Sequence, residues 1–72
     1  MSDRPLMLFR NVHLVMKADR LFRDENIFCR VVPVPEVISS ECGMCLVIDR
    51  ENVDLCCRLL EEYQIPFEMH NS

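Results

Sequence analysis

Two stretches of this chain repeat apolar residues at the period of an α-helix, and each lies between short apolar runs, which narrows what 72 residues can build. In the first, Asn11, Leu14, Val15, Ala18, Leu21 and Phe22 recur at i, i+3, i+4 and i+7 spacing, with His13, Lys17, Arg20 and Asp24 on the opposite face. Asn11 offers an N-cap side chain, and Asn26 suits the left-handed position that follows a last turn. In the second, Val53, Cys56, Cys57, Leu60 and Tyr63 mark the inner stripe, and Asp49 is the expected N-cap. Glu51 then falls in the first turn, where a carboxylate suits the helix dipole, and Pro66 disfavours helical geometry at Ile65. Leu6 to Phe9, Ile27 to Val34, Met44 to Ile48 and Phe67 to His70 read as strands, the second ending where Pro33 and Pro35 remove backbone donors.

The order strand-helix-strand-strand-helix-strand predicts an α+β ferredoxin-like plait (βαββαβ), a four-stranded antiparallel sheet with two helices on one face. Each helix is expected to run for about 12 to 14 residues. The chain reads as one such domain over residues 1–72, with an ordered core of 6–69. A chain this short buries only about 60% of the surface that its unfolded form exposes, so its core must be thin. The plait leaves the other sheet face without helices. With strands this apolar, that face is expected to meet a partner, most simply a second copy in a homodimer.

Composition then excludes classes of function. A net charge of −4, from 8 basic and 12 acidic residues, argues against a nucleic-acid partner, because phosphate binding draws on clustered Lys and Arg. Only the spread of Arg10, Lys17, Arg20 and Arg23 suggests a basic face. No apolar run approaches the roughly 20 residues of a membrane span, so no membrane partner is expected. Asp3 and Arg4 are followed by too short an apolar stretch for a signal peptide, which predicts a cytoplasmic location. Five cysteines suit a reducing compartment, and an odd number cannot all pair within one chain. One glycine is too few for a phosphate loop or a dinucleotide fingerprint.

The segment Pro33 to Ile48, Pro-Val-Pro-Glu-Val-Ile-Ser-Ser-Glu-Cys-Gly-Met-Cys-Leu-Val-Ile, is the one whose chemistry exceeds its packing. Two prolines fix an extended approach, Ser39 and Ser40 supply hydroxyls, and Cys42 stands before Gly43, the chain's one glycine. Gly43 suits a positive φ or a close backbone approach. Cys42 is the candidate carrier thiol, a role that needs exposure and a pKa pulled below the free value of about 8.5. Cys45 completes a C-x-x-C and is a candidate resolving thiol, although such motifs open helices and this one runs into a strand. Cys29, Cys56 and Cys57 read as core residues. Cys56 and Cys57 point about 100° apart on a helix and cannot chelate together, so no metal is expected, and no other cofactor. His13 and His70 stand singly, and spacing assigns neither a Ser-His-Asp nor a Cys-His pair.

Pro35 and the run Ile38-Ser39-Ser40-Glu41-Cys42-Gly43 resemble the corresponding loop of the selenium/sulfur (Se/S) carrier protein-like family, a resemblance that extends as an order of elements from Leu6 to Met69. The resemblance implies a cysteine that holds sulfur or selenium as a persulfide or selenosulfide and passes it from a donor protein to an acceptor. By position that cysteine is Cys42, with Pro35, Ser39, Ser40 and Gly43 as its binding loop. Two departures matter. Glu36 and Val37 stand where relatives carry a basic and then an acidic residue, and Cys45 stands where an aliphatic or small residue is commoner. The expected role is thus a thiol carrier rather than an enzyme. A plait that binds a small ligand or a protein without covalent chemistry is the alternative, and a C-x-x-C redox protein a third reading.

Overall fold

The computed structural model describes residues 4–35 and 43–70. The chain forms strand β1 (Leu6–Leu8), helix α1 (Val12–Asp24), β2 (Cys29–Pro33), β3 (Met44–Ile48), a 3-10 turn (Arg50–Asn52), α2 (Val53–Glu62) and β4 (Glu68–His70). The strands make one sheet in the order β2-β3-β1-β4, and all three pairings are antiparallel. The protein is therefore α+β, with a four-stranded antiparallel sheet and two helices. No helix among the described residues is long and apolar enough to cross a membrane.

α1 starts and stops on side chains visible in the sequence. Asn11 is extended, and its Oδ1 accepts the Leu14 N–H at 3.0 Å, which satisfies one of the unpaired amides of the first turn. At the other end Asn26 takes a φ of 61°, and the Ile27 N–H donates to the Phe22 carbonyl at 2.8 Å. α2 closes in the same way. Gln64 takes a φ of 58°, and the Ile65 N–H donates to the Leu60 carbonyl at 2.8 Å. In both cases the isoleucine after the left-handed residue is buried, which fixes how the chain turns from helix to strand.

Several boundaries differ from the sequence reading. α2 begins at Val53 rather than directly after Asp49, because the Asn52 N–H donates to the Asp49 carbonyl at 2.9 Å and closes a 3-10 turn first. The Asp49 side chain makes no capping hydrogen bond; its Oδ1 lies 3.7 Å from Arg4 Nε. α2 is accordingly 10 residues long against 13 for α1. Tyr63, placed by periodicity on the inner stripe, is 57% exposed, because the chain leaves the helix at that residue. β3 has its expected bounds, whereas β1, β2 and β4 are shorter than the apolar runs that hold them.

Alternation along the strands divides the apolar residues between two faces. Met7, Leu46, Ile48 and Cys29 pack with Val15, Ala18 and Phe22 of α1 and with Cys56 and Leu60 of α2, so both helices cover the same face. Leu6, Leu8 and Cys45 form a second cluster on the opposite face, with Val32, Val34 and Val47 packed against it. No helix covers that face, yet Leu6 and Leu8 are only 7% and 8% exposed there, and Cys45 is wholly buried. Burying a leucine side chain is worth about 1.5 to 3 kcal/mol, so this second cluster adds materially to a thin core.

Candidate functional site

The β2–β3 connection is held at its base by an extension of the ladder. β2 pairs with β3 from Cys29↔Ile48 to Pro33↔Met44, and the Val34 N–H then donates to the Gly43 carbonyl at 2.9 Å. Pro35 leaves this base exposed, and Gly43 returns to it, also exposed, with a φ of 77°. Cys42, Ser39 and Ser40, the thiol and hydroxyls singled out from the sequence, lie outside the described residues. Cys45 follows Gly43 into β3, where it faces away from the helices, paired across strands with Leu8 and Val32.

Gly43 meets a backbone need and fills no packing niche. A methyl group added there finds no atom within 4 Å, so its replacement is disfavoured by the positive φ alone. Gly43→Ala is expected to lower stability by about 1 to 2 kcal/mol, read from the urea midpoint, without abolishing the fold. An unchanged midpoint would show that this turn does not depend on glycine.

The register identifies what shares this end of the sheet. Leu8 pairs with Cys45 and Glu68 with Leu8, which brings the β1–α1 connection and the approach to β4 to the same end as Gly43. The β1–α1 connection carries the exposed Arg10 and opens α1, whose first turn has no acidic residue to offset the positive end of its dipole. On the β4 side, Glu61, Gln64, Ile65, Pro66 and Phe67 line a shallow, open depression of about 510 Å³. His13 sits exposed in the first turn of α1, while His70 pairs with Leu6 at the opposite end of β1.

The thiols within the core are poor nucleophiles. Cys29 is pushed up to about 12, first by burial and then by Asp19, whose Oδ1 accepts its S–H at 3.2 Å and whose charge opposes a thiolate. Arg23 pulls the other way, but its Nε is committed to both Asp19 oxygens at 3.1 and 3.0 Å. Cys56 is pushed up to about 11 by burial and by its neighbour Cys57. Burial raises Cys57 as well, with Glu61 and Asp54 adding to the effect. The Arg23–Asp19–Cys29 chain had no sequence signal, since it exists only once α1 lies across β2. Among the described residues, no group of three or more His, Cys, Asp or Glu side chains is arranged to hold a metal ion.

A family model described as "Putative Se/S carrier protein-like" matches residues 4–70. No curated protein and no solved structure matches the chain. The family match runs from Arg4 through β1, both helices and β3 to the end of β4, and so includes the β2–β3 connection. The chain belongs to the Se/S carrier protein-like family.

Proposed function

We propose that this protein is a sulfur or selenium carrier whose working group is the Cys42 thiol. The observation that carries the reading is the contrast among its cysteines. Cys29, Cys45 and Cys56 are buried in the two apolar clusters and Cys57 is partly buried on α2, whereas Cys42 immediately precedes the exposed Gly43 in a proline-bounded connection. The family match supports the same role. The βαββαβ element order and the strand order β2-β3-β1-β4 support reading the scaffold as a ferredoxin-like plait. A cytoplasmic location suits its thiols. A homodimer joined across the helix-free face, rimmed by the partly buried Val32, Val34 and Val47, belongs to the same reading.

Loading is a thiol–persulfide exchange. The Cys42 thiolate attacks the terminal sulfur of a donor persulfide, a new S–S bond forms, the donor's S–S bond breaks, and the donor cysteine leaves as a thiolate. The terminal sulfur keeps its proton, and no external oxidant or reductant is consumed. Unloading is the reverse exchange with an acceptor nucleophile, and selenium follows the same course through an Se–S bond. Attack needs the thiolate, because the thiol itself is a poor nucleophile. Cys45 is a structural neighbour in this reading, because a wholly buried strand side chain is badly placed to attack a disulfide.

Two substitutions test the assignment. After incubation with a cysteine desulfurase and L-cysteine, Cys42→Ser is expected to take up no sulfur, and Cys45→Ala, which keeps its site apolar, is expected to load as the unsubstituted chain does. Full loading of Cys42→Ser would sink the proposal.

A further inference from the structure

Charge is unevenly divided along this acidic chain. Residues 4–35 carry six basic and three acidic side chains, whereas residues 43–70 carry two basic and six acidic ones. Four of those six basic side chains, Arg10, Lys17, Arg20 and Arg23, lie on and around α1, and so do the three acidic ones, Asp19, Asp24 and Glu25. Arg23 is neutralised by Asp19, but Lys17 and Arg20 are exposed, and neither lies within salt-bridge distance of a carboxylate among the described residues.

Beside these two cations α1 exposes apolar surface. Met16 is 60% exposed and Val12 is 46% exposed, one turn apart on the flank that leads to the edge strand β2. β2 runs parallel to β1, and α1 returns antiparallel to both, so from the Asp19–Cys29 contact Met16 and Val12 lead toward the 38% exposed Val31. Val12 and Met16 thus set two apolar side chains beside the cations on the outward side of the helix. Apolar anchors rimmed by like charge are the composition of a docking surface.

We infer that the outer face of α1, formed by Val12, Met16, Lys17 and Arg20, docks an acidic protein surface on the donor that loads Cys42. The inference rests on the carrier reading and adds the partner's chemistry to it. Charge argues for this occupant. Lys17 and Arg20 are exposed cations that an acidic surface can pair with, which orients the encounter on a chain whose net charge is −4. Position argues for it too. The face starts at the first residue of α1, at the same end of the sheet as Gly43, and Arg20 lies only about 12 Å along the helix axis from that start. A donor seated there holds its persulfide beside the β2–β3 connection.

The test separates this inference from the reading beneath it by using two sulfur donors. Sodium polysulfide needs no docking surface, because the Cys42 thiolate attacks a polysulfide sulfur and hydrosulfide leaves. A cysteine desulfurase with L-cysteine delivers sulfur from protein to protein. The double variant K17E/R20E is expected to load from the desulfurase about tenfold more slowly than the unsubstituted chain and from polysulfide at the same rate. Raising the salt concentration is expected to slow the unsubstituted chain toward the variant. Met16→Ala, which leaves the charge alone, is expected to slow only the desulfurase reaction. Equal rates for variant and unsubstituted chain with the desulfurase would overturn the docking inference and leave the carrier reading standing. So would an unsubstituted chain that loads from polysulfide but not from the desulfurase, or a dimer of the unsubstituted chain that K17E/R20E dissociates, which would assign the face to a second copy. No adduct at Cys42 from either donor would remove the carrier reading, and the docking inference with it.

Discussion

Phe22→Ala is expected to cost about 3 to 5 kcal/mol, the range for removing an aromatic ring from a packed core. Phe22 is wholly buried, and it is among the largest side chains that this thin core encloses. It lies in the one cluster that contains both helices and the helix-facing residues of β1, β2 and β3. Its carbonyl also accepts the Ile27 N–H that closes α1, so the ring is fixed where the helix turns into β2. At about 0.05 to 0.15 kcal/mol per residue, 72 residues are worth about 4 to 11 kcal/mol in total. The variant should therefore lose much of its cooperative urea transition by circular dichroism, or show it at far lower denaturant. A loss below about 1 kcal/mol would mean that the two helices do not share one core as described.

The second large effect concerns which thiols react. Each unit by which a pKa rises removes a factor of ten in thiolate at neutral pH. From an ordinary value of 9.0, the rise to about 12 leaves Cys29 with about a thousandfold less thiolate, and the rise to about 11 leaves Cys56 with about a hundredfold less. Burial slows access further. In the folded protein, limited alkylation at neutral pH should thus label Cys42 while Cys29 and Cys56 stay unmodified, and all five cysteines should react together in denaturant. Peptide mapping reads this directly. The same shifts give stability a pH dependence of definite sign. Folded, these thiols keep their protons; unfolded, they lose them as pH passes 9.0, so the unfolded chain binds fewer protons and stability falls from there toward about 12. Below the unfolded value these groups contribute no slope. Prompt labelling of Cys29 or Cys56 in the folded protein would contradict the packing of the helix-facing cluster that holds both, along with the Asp19 contact and the buried stripe of α2.

Much of this architecture is legible in the sequence because local rules and tertiary demand agree there. α1 carries its period, its Asn11 cap and its Asn26 terminator in its own residues, and all three recur in the structure. β3 is bounded by Gly43 and Asp49, and those bounds hold. The start of α2 is not legible, because an aspartate before a charged turn precedes a 3-10 turn as readily as an α-helix. The exposure of Tyr63 escapes periodicity, since the stripe is drawn on an ideal helix and the chain has already left it. The burial of Leu6, Leu8 and Cys45 escapes it for another reason. Strands apolar on both alternations do not say which face the helices cover, or how dry the other face is. At the candidate site, the positive φ of Gly43 and the strand position of Cys45 follow from residue type and neighbours. The role proposed for Cys42 does not follow from periodicity or composition; it rests on the resemblance of Ile38 to Gly43, and the family match over residues 4–70 agrees with that resemblance.

The most direct test of the central claim is to locate sulfur on the loaded protein. The reduced chain is incubated with a cysteine desulfurase and L-cysteine, its intact mass is measured, and any adduct is mapped by peptide. The carrier account predicts a gain of one sulfur atom, confined to Cys42 and removed by a thiol reductant. A chain that gains no sulfur, or gains it at Cys45 or Cys57 with Cys42 bare, contradicts it.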